Sequence, residues 1–394
     1  MDNARWLATR TAALFLSLSS VLAAADTHAI TLTPIQTLGR VGDELSDGVI
    51  RLRDINDKDV VVGNSKIGNG QTRGFRWDSQ AGTINLGTLG GDASIASGIN
   101  ESGTIAGGAR RQVGNDIHVA RRLPGASGWQ DLGDFGALIN ANGDGGINDR
   151  GDIALHADGP NVNGPGTFTR QGKIRLANGT VRNLQLSNRW GQPRALNNSG
   201  NTVGTSGRGN GQRASFWQLT GSGALPLTRI GPTDGFFKTS ATDINNKDQV
   251  VGTSSGEGAS RAFVWQPSFG AGGALALLHT ENVDRSGALS LNDDGSIVGW
   301  IEDTAGRRRA ALWHQDRLID LNDVLPPELD GWTLLEAQVI NDAGSIGGVG
   351  SNPDGNIAGF LLTDTAAIFD PAAVPAPAAM GPLILVLAAL LRRC

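Results

Sequence analysis

The chain of 394 residues contains a single cysteine, Cys394, and it is the last residue. Disulfide bonds therefore cannot hold the fold together, and a cysteine nucleophile or cysteine metal site in the body of the chain is excluded. Tyrosine is absent, which excludes the tyrosine nucleophile that sialidases use. The five histidines form no HxH or HxxxH pair, the spacings that favour a metal site. We expect neither a metal nor another cofactor.

Charge is also scarce. Charged residues make up 18% of the chain and the formal net charge is −5, so we expect no nucleic-acid partner.

Residues 30–365 show no sustained helical periodicity, whereas the chain has 57 glycines. Nine tryptophans and 11 phenylalanines supply apolar volume for a core. The glycines therefore indicate many turns rather than disorder.

The N-terminus has the pattern of a secretory signal peptide. Two arginines precede an apolar run at 12–25 that ends in small residues. We expect the Sec machinery to export the chain and residues 1–25 to be removed; a buried N-terminal helix is the alternative. The residues at the predicted cleavage site are Ala23, Ala25 and Asp26.

The C-terminus carries a second predicted targeting signal. A Pro/Ala-rich linker, 366–379, precedes a tail, 380–394, whose apolar part is 380–391. This part is short for a membrane span, which needs about 20 residues. We expect it to stop in the membrane transiently and present the linker to a sorting protease; a permanent single-pass anchor is the alternative. The predicted processing residues are Val374, Pro375 and Pro377.

Seven similar segments of ten residues recur along the chain, and each places an asparagine before a turn and a strand. Examples are ALNNSGNTVG at 195–204 and SLNDDGSIVG at 290–299. The seven asparagines are Asn56, Asn100, Asn148, Asn197, Asn245, Asn292 and Asn341. Their spacings lie between 44 and 49 residues, and a nearly fixed period of this size indicates a repeat architecture.

The turn in each repeat has a stereochemical explanation. Asparagine at the first position of a type I turn bonds back to the backbone, and the residue three positions later needs a positive φ so that the hairpin keeps its twist. Glycine fills that position in five repeats, and Asp59 and Asp248 fill it in the other two. Aspartate tolerates this conformation better than most residues, so the exceptions obey the same rule.

Each repeat predicts four short antiparallel strands, the pattern of a β-propeller blade. The third strand carries a motif such as RAFVW at 261–265, which in the third repeat we assign to GTFTR at 166–170. The last repeat lacks a fourth strand, whereas 30–39 has no repeat before it. We therefore expect residues 30–365 to form an all-β, seven-bladed β-propeller, closed by the N-terminal strand pairing into the last blade. An open solenoid is the alternative, but it would need polar caps.

Four tryptophans occupy one equivalent position at the end of the third strand. They are Trp77, Trp217, Trp265 and Trp313. We expect each to pack against a neighbouring blade, so that truncating one costs about 3–5 kcal/mol. Repeats 2, 3 and 7 lack this tryptophan, and we expect their blades to be less stable.

The motifs AFVWQ, LGTLGG and INNKDQVVG recur in this order and resemble the HAF-repeat family of exported bacterial proteins. The resemblance covers residues 30–365 and implies an exported repeat protein, often with a sorting tail, but no known reaction. The segment VPAPAA at 374–379 resembles the PEP-CTERM sorting signal of Gram-negative bacteria, with Ala376 in place of its glutamate. The resemblance implies a location at the outer surface or outside the cell, with anchoring in the envelope as the alternative.

The loops before the third strands vary most between repeats, and variable loops on a rigid scaffold are common recognition sites. Their arginines are Arg110, Arg111, Arg208, Arg213, Arg307 and Arg308. We expect these loops on one face, where a basic rim could bind acidic exopolysaccharide or another envelope protein; a purely solubilising role is the alternative.

The segment NANGDGGIND at 140–149 weakly resembles a calcium loop without its final glutamate. An inter-blade loop explains it as well.

These observations favour a non-enzymatic binding, surface or matrix protein. The alternative is an envelope enzyme that acts on glycans in the central channel. The near-identity of the first strands argues against an enzyme, because an active site needs asymmetry.

Overall fold

The computed structural model describes residues 30–369 except for 114–116, 136–144, 160–168, 186–189, 208–210, 232–235, 268–272, 279 and 281–282. Residues Ile30–Thr365 form one compact unit. The predicted signal peptide, the apolar tail and the linker from 370 onward lie outside the described residues. So do the predicted processing residues Ala23, Ala25, Asp26, Val374, Pro375 and Pro377. Within the described part, no helix is both long and apolar enough for a membrane span.

Seven antiparallel sheets follow one another along the unit and confirm the predicted seven-bladed β-propeller. Strand β1 (Thr31–Ile35) belongs to the last blade. Blade 1 comprises β2 (Ile50–Ile55), β3 (Val61–Lys66), β4 (Thr72–Asp78) and β5 (Gly82–Asn85). Blade 2 comprises β6 (Gly90–Ile99), β7 (Ile105–Arg111), β8 (Ile117–Arg122) and β9 (Gln130–Gly133). Blade 3 comprises β10 (Ile153–Gly159), β11 (Thr169–Arg175) and β12 (Val181–Asn183).

The remaining blades have four strands each. Blade 4 comprises β13 (Gly191–Leu196), β14 (Thr202–Ser206), β15 (Arg213–Trp217) and β16 (Leu227–Ile230). Blade 5 comprises β17 (Lys238–Ile244), β18 (Val250–Gly256), β19 (Ala259–Gln266) and β20 (Ala274–Leu277). Blade 6 comprises β21 (Arg285–Leu291), β22 (Ile297–Glu302), β23 (Arg308–His314) and β24 (Arg317–Asp320). Blade 7 comprises β25 (Thr333–Ile340), β26 (Ile346–Ser351), β27 (Ile357–Thr363) and β1. Short 3-10 helices cover Leu45–Asp47 and Pro327–Leu329, and helix α1 covers Ala366–Phe369.

Blade 3 departs from the predicted strands. Residues 136–144, just before the ring asparagine, lie outside the described residues, and in the described part of its first strand Ile147 forms a bridge with Ile153. Its third strand is β11, in which Arg175 lies opposite Ile153 at the position where blades 1, 4, 5 and 6 place tryptophan. The assignment of the motif to 166–170 was therefore wrong by five residues. The prediction failed because GTFTR alternates as a strand does, whereas the register is set by pairing with β10, which alternation alone does not reveal.

The ring closes as predicted. Strand β1 pairs antiparallel with β27, with Thr31 opposite Thr363 and Ile35 opposite Gly359. The N-terminal strand therefore supplies the fourth, outermost strand of blade 7 and covers the edge of β27 that would otherwise be unpaired.

The core lies between the blades rather than within them. The four equivalent tryptophans are between 0 and 4% exposed, and each belongs to a buried cluster that joins its blade to the preceding one. Trp77, for example, packs with Ile35 of β1 and with Val339 of blade 7. The expected packing against the neighbouring blade is confirmed.

Candidate functional site

The seven asparagine turns form a continuous ring of hydrogen bonds around the propeller axis. In each blade the asparagine Oδ1 accepts the backbone N–H of the residue four positions later, which closes the turn. Its Nδ2 donates to the backbone carbonyl of the asparagine in the next blade, over 3.0–3.3 Å. The last of these bonds runs from Asn341 to Asn56 and completes the circle. The repeated asparagine is therefore a bridge between blades as well as a turn residue.

A second ring lies one residue further along each turn. The backbone N–H of this residue donates to the side-chain oxygen of its counterpart in the next blade, over 2.7–2.9 Å. The counterparts are Asp57, Glu101, Asp149, Asn198, Asn246, Asp293 and Asp342. We call this set the acidic collar. It surrounds one mouth of the axial channel, which we call the turn face.

The channel wall is shaped by β-bulges in the first strands of six blades. Each bulge leaves one residue without a partner in the second strand, three positions before the ring asparagine. The bulged residues are Arg53, Ser97, Arg194, Thr242, Leu289 and Gln338, and all of them line the axial cavity. Bulges often redirect side chains at functional sites. Here they place six different side chains at one level of an otherwise repetitive ring.

A glycine faces each bulge from the second strand. The glycines are Gly63, Gly107, Gly204, Gly252, Gly299 and Gly348, and a Cβ on any of them would overlap a carbonyl oxygen of the bulged first strand. The recurrent VVG or IAG ending of the repeat therefore follows from the bulge.

The bulged residues divide the channel into two chambers. The turn-face chamber, of about 350 Å³, extends from the bulged residues to the acidic collar. The loop-face chamber, of about 200 Å³, extends from the same residues toward Arg51 and Glu336. Because antiparallel strands alternate in direction, its mouth lies on the side of the variable loops between second and third strands. We call that side the loop face.

The turn-face chamber is strongly acidic. Besides the collar it contains Asp54 and Asp243, whose carboxylates accept backbone N–H groups of the following blades, from Ile99 and Leu291. Burial raises the pKa of Asp54 to about 8 and that of Asp243 to about 6. Partial burial, reinforced by neighbouring collar carboxylates, also raises the pKa of Glu101 and of Asp342.

The described arginines from the variable loops lie at the loop face, but most already have partners. Arg110 pairs with Asp92 at 2.6 Å and Arg307 with Asp303 at 2.7 Å. Arg308 contacts Glu336 at 2.6 Å and lies 3.9 Å from the centre of the Trp300 ring. Arg111 is exposed. Arg208 lies outside the described residues.

Arg213 belongs to a structural bridge that recurs in three blades. Its Nη1 donates to the carbonyl of Phe237 in blade 5 over 2.6 Å. Arg73 and Arg261, at equivalent positions, reach Asp92 and Asp284 of their next blades in the same way. The arginine that opens the RAF motif therefore ties neighbouring blades together.

Two histidine contacts outside the channel are local. His118 Nδ1 lies 2.8 Å from Asp131 Oδ1, and His314 Nδ1 lies 2.8 Å from Ser296 Oγ. Ser296 is 1% exposed, so its hydroxyl is shielded from a substrate. Among the described residues no three His, Cys, Asp or Glu side chains are grouped to hold a metal ion. The first half of the possible calcium loop, residues 140–144, lies outside the described residues.

Sequence reasoning missed the bulged residues and the collar. The sequence carries only a weak signal for the bulges: the residue directly before each ring asparagine is always isoleucine or leucine, whereas the residue three positions before it changes from repeat to repeat. Strict alternation along a strand cannot reveal a one-residue bulge. The channel is therefore less uniform than the repeated first strands suggested.

No protein-family model matches the chain, and no curated protein matches it in sequence. Among solved structures, a puromycin-hydrolyzing peptidase from Mycobacterium tuberculosis is 13% identical, with a TM-score of 0.53 over 83% of this chain and 56% of that one. A puromycin hydrolase is 15% identical, with a TM-score of 0.53 over 82% and 53% of the two chains. A streptogramin B lyase is 13% identical, with a TM-score of 0.47 over 85% and 98%.

The likeness to the two hydrolases shows the fold alone. The chain spans about half the length of the two hydrolases that it matches. At such low identity the propeller does not carry the activity of any of these proteins to this chain.

Proposed function

We propose that this chain is an exported, non-enzymatic β-propeller that binds acidic exopolysaccharide at the outer surface of a Gram-negative bacterium. The observation that carries the proposal is the division between a constant frame and variable positions. Two complete hydrogen-bond rings repeat unchanged around the axis, whereas the bulged residues and the loop-face residues differ from blade to blade. A rigid frame that presents variable side chains is the usual arrangement of a recognition surface.

Export rests on the two ends of the sequence and on the resemblance to HAF-repeat and PEP-CTERM proteins. Mass spectrometry of the protein purified from its host tests it. We expect a mature N-terminus at Asp26 and a C-terminus that has lost the apolar tail. An intact C-terminus ending in Cys394 would contradict the sorting signal and leave an anchored envelope protein, and retention of residues 1–25 would contradict export.

Binding is tested by retention of the purified protein on immobilised acidic exopolysaccharide, with the same polymer after reduction of its carboxyl groups as the control. We expect retention that weakens with salt on the acidic polymer and little on the reduced one, because exposed ion pairs are screened. Equal retention on both polymers would contradict recognition of the acid groups, and no retention on either would contradict polysaccharide binding.

The alternative is an envelope enzyme that acts on glycans within the channel. The asymmetry of the bulged residues favours it, since two arginines, two hydroxyls, an amide and a leucine meet at one level. Prolonged incubation of the protein with the same polysaccharide and measurement of new reducing ends decides between the two. Turnover that is lost in an Arg194→Ala variant would replace the binding proposal with the enzyme.

A further inference from the structure

The loop-face chamber differs in charge from the rest of the channel. Its described lining contains three arginines, Arg51, Arg53 and Arg194, and a single carboxylate, that of Glu336. Arg53 and Arg194 line the turn-face chamber as well, but there the carboxylates of the collar and of Asp243 outnumber them. Asp54 also lines it, but its pKa of about 8 leaves it largely protonated at neutral pH. The channel is therefore bipolar. An anion that approaches the turn face meets repulsion, whereas one that approaches the loop face meets positive charge.

Both carboxylate oxygens of Glu336 already accept hydrogen bonds from other side chains. Its Oε1 accepts from Arg308 at 2.6 Å and its Oε2 accepts from the amide of Gln338 at 2.9 Å. Glu336 is 7% exposed. Arg308 also lies 3.4 Å from Glu302, which Arg285 contacts at 3.7 Å, so two arginines balance two carboxylates in this wall. Arg51 is thus not neutralised by the one carboxylate that lines the chamber with it.

Arg51 supplies the donors that are available to a ligand. It is exposed, it lines the chamber, and it has no hydrogen-bond or ion-pair partner among the described residues. Arg53 is held from one side, because its Nε donates to Asn64 Oδ1 at 3.1 Å. Ser97 adds a hydroxyl at the level of the bulge. A guanidinium is well suited to an oxyanion because it can donate two parallel hydrogen bonds.

We propose that the loop-face chamber binds the oxyanion group of a small polar molecule, such as the carboxylate or phosphate of one sugar residue, with Arg51 as its principal donor. The inference rests on the proposed function, since it names the site and the chemical group by which an acidic saccharide is held. A volume of about 200 Å³ is below that of drug-sized ligand sites. The chamber therefore takes a terminal residue or a side branch, while the rest of a polymer extends over the loop face.

The test is a calorimetric titration of the full mature protein with glucuronate, glucose 6-phosphate and glucose at low salt. We expect glucuronate and glucose 6-phosphate to bind and glucose to bind at least tenfold more weakly; which anion binds more tightly identifies the source of the oxyanion. Arg51→Ser should weaken the binding of both anions at least fivefold. Equal binding of glucose, or unchanged affinity in Arg51→Ser, would overturn the proposal.

Arg111→Ser is the matched control. Arg111 is also an exposed arginine at the loop face, but it does not line the chamber. We expect its variant to bind both anions as the unchanged protein does; an equal loss in both variants would reveal a diffuse charge effect and overturn the site. Thermal unfolding of both variants should match that of the unchanged protein, because no described side chain depends on Arg51.

The polysaccharide retention assay separates this inference from the proposed function. If Arg51→Ser is retained on the acidic polymer as strongly as the unchanged protein, the chamber is wrong while polysaccharide binding stands. If nothing is retained but glucuronate binding still depends on Arg51, the chamber is right and the polymer is the wrong ligand.

Discussion

At the scale of single residues, the ring explains why the repeated turn residue is asparagine. A turn alone would be satisfied by aspartate or serine, which also accept backbone hydrogen bonds. An amide carries its acceptor and its donor on two separate atoms, so the oxygen can serve its own turn while the nitrogen donates to the next blade. The sequence predicted the first role from local spacing. The second depends on the neighbouring blade, which becomes adjacent only when the ring is assembled.

Replacement of a ring asparagine therefore tests the bridge. Asn197→Ala removes a local turn bond and the inter-blade bond to the Asn245 carbonyl, and we expect a loss of about 1–3 kcal/mol in the free energy of unfolding. Asn352→Ala is the control, because Asn352 caps the same kind of turn and accepts from Asn356 N–H without a described inter-blade bond. Urea unfolding measures both. Equal losses would mean that the bridge contributes nothing.

Two left-handed aspartates show how a side chain can offset unfavourable backbone geometry. Asp59 and Asp248 have φ of 56° and 61° where five blades have glycine. Asp248 Oδ1 accepts from the amides of Asn197 and Asn201 in the preceding blade, and Asp59 Oδ1 accepts from Asn341. Tolerance of this conformation was predictable from the residue type. The compensating contacts were not, because they too cross between blades.

The buried Asp54 makes stability depend on pH. Its folded pKa, raised by burial to about 8, lies above the ordinary value of 3.8 that the unfolded chain has. Between these values the folded state binds more protons than the unfolded state, so stability falls as pH rises. We expect Asp54→Asn to show a smaller loss of unfolding free energy between pH 4 and pH 8 than the unchanged protein. Asp243→Asn should differ mainly between pH 4 and pH 6. Parallel curves for Asp54→Asn and the unchanged protein would contradict the assignment.

At the scale of strands, the bulge and its facing glycine form one unit. The bulge brings a carbonyl of the first strand toward the second strand, and only glycine leaves space for it. In blade 1 this carbonyl belongs to Arg51, and the facing residue is Gly63. The same bulge sends Arg53 into the channel. The glycine thus permits the strand geometry that positions the bulged side chain.

Gly63→Ala should therefore be costly. Its Cβ would overlap the Arg51 carbonyl and press on the Phe75 ring, and we expect a loss of about 3 kcal/mol in the free energy of unfolding. Gly68→Ala, in the next loop, is the control because a Cβ there meets open space, and we expect a change within about 0.5 kcal/mol. Chemical denaturation measures both variants. A Gly63→Ala protein as stable as the control would show that the bulge is easily removed.

The blades were predictable because each strand shows an alternation of apolar and polar residues within its own segment. The errors arose where this alternation did not reveal the register in which two strands pair. Blade 2 illustrates the limit. It lacks the signature tryptophan and places Arg122 there, but Trp129, before β9, enters the cluster that joins blades 1 and 2. Trp129 is 8% exposed and its Nε1 donates to the Gly87 carbonyl. The lower stability expected for blade 2 stays a prediction. Trp129 works against it, because this side chain fills part of the space that the signature tryptophan fills in other blades.

At the scale of the whole molecule, contacts near the axis and contacts between outer strands both close the ring. Next to the axis, Asn341 donates to the Asn56 carbonyl and Gln338 Oε1 accepts from Leu52 N–H. Farther out, β1 pairs with β27. The outer closure was predictable from one missing and one spare strand. The bond from Asn341 has a counterpart at each of the other six joints between neighbouring blades. In this respect the joint between blades 7 and 1 is built like the rest.

A cross-link across the outer closure tests the register and its contribution. Thr31→Cys and Thr363→Cys lie opposite each other in the β1–β27 pair, so with Cys394 replaced by serine we expect a disulfide on oxidation. Because it joins the two ends of the ring, the chain-entropy model gives a stabilisation of about 5 kcal/mol, measured as a higher denaturant midpoint that reduction reverses. The control pairs Thr33→Cys with Thr363→Cys, two positions out of register, and should cross-link far less. Equal cross-linking of both pairs would show that β1 slides along blade 7 and leaves the ring held mainly by its inner bonds.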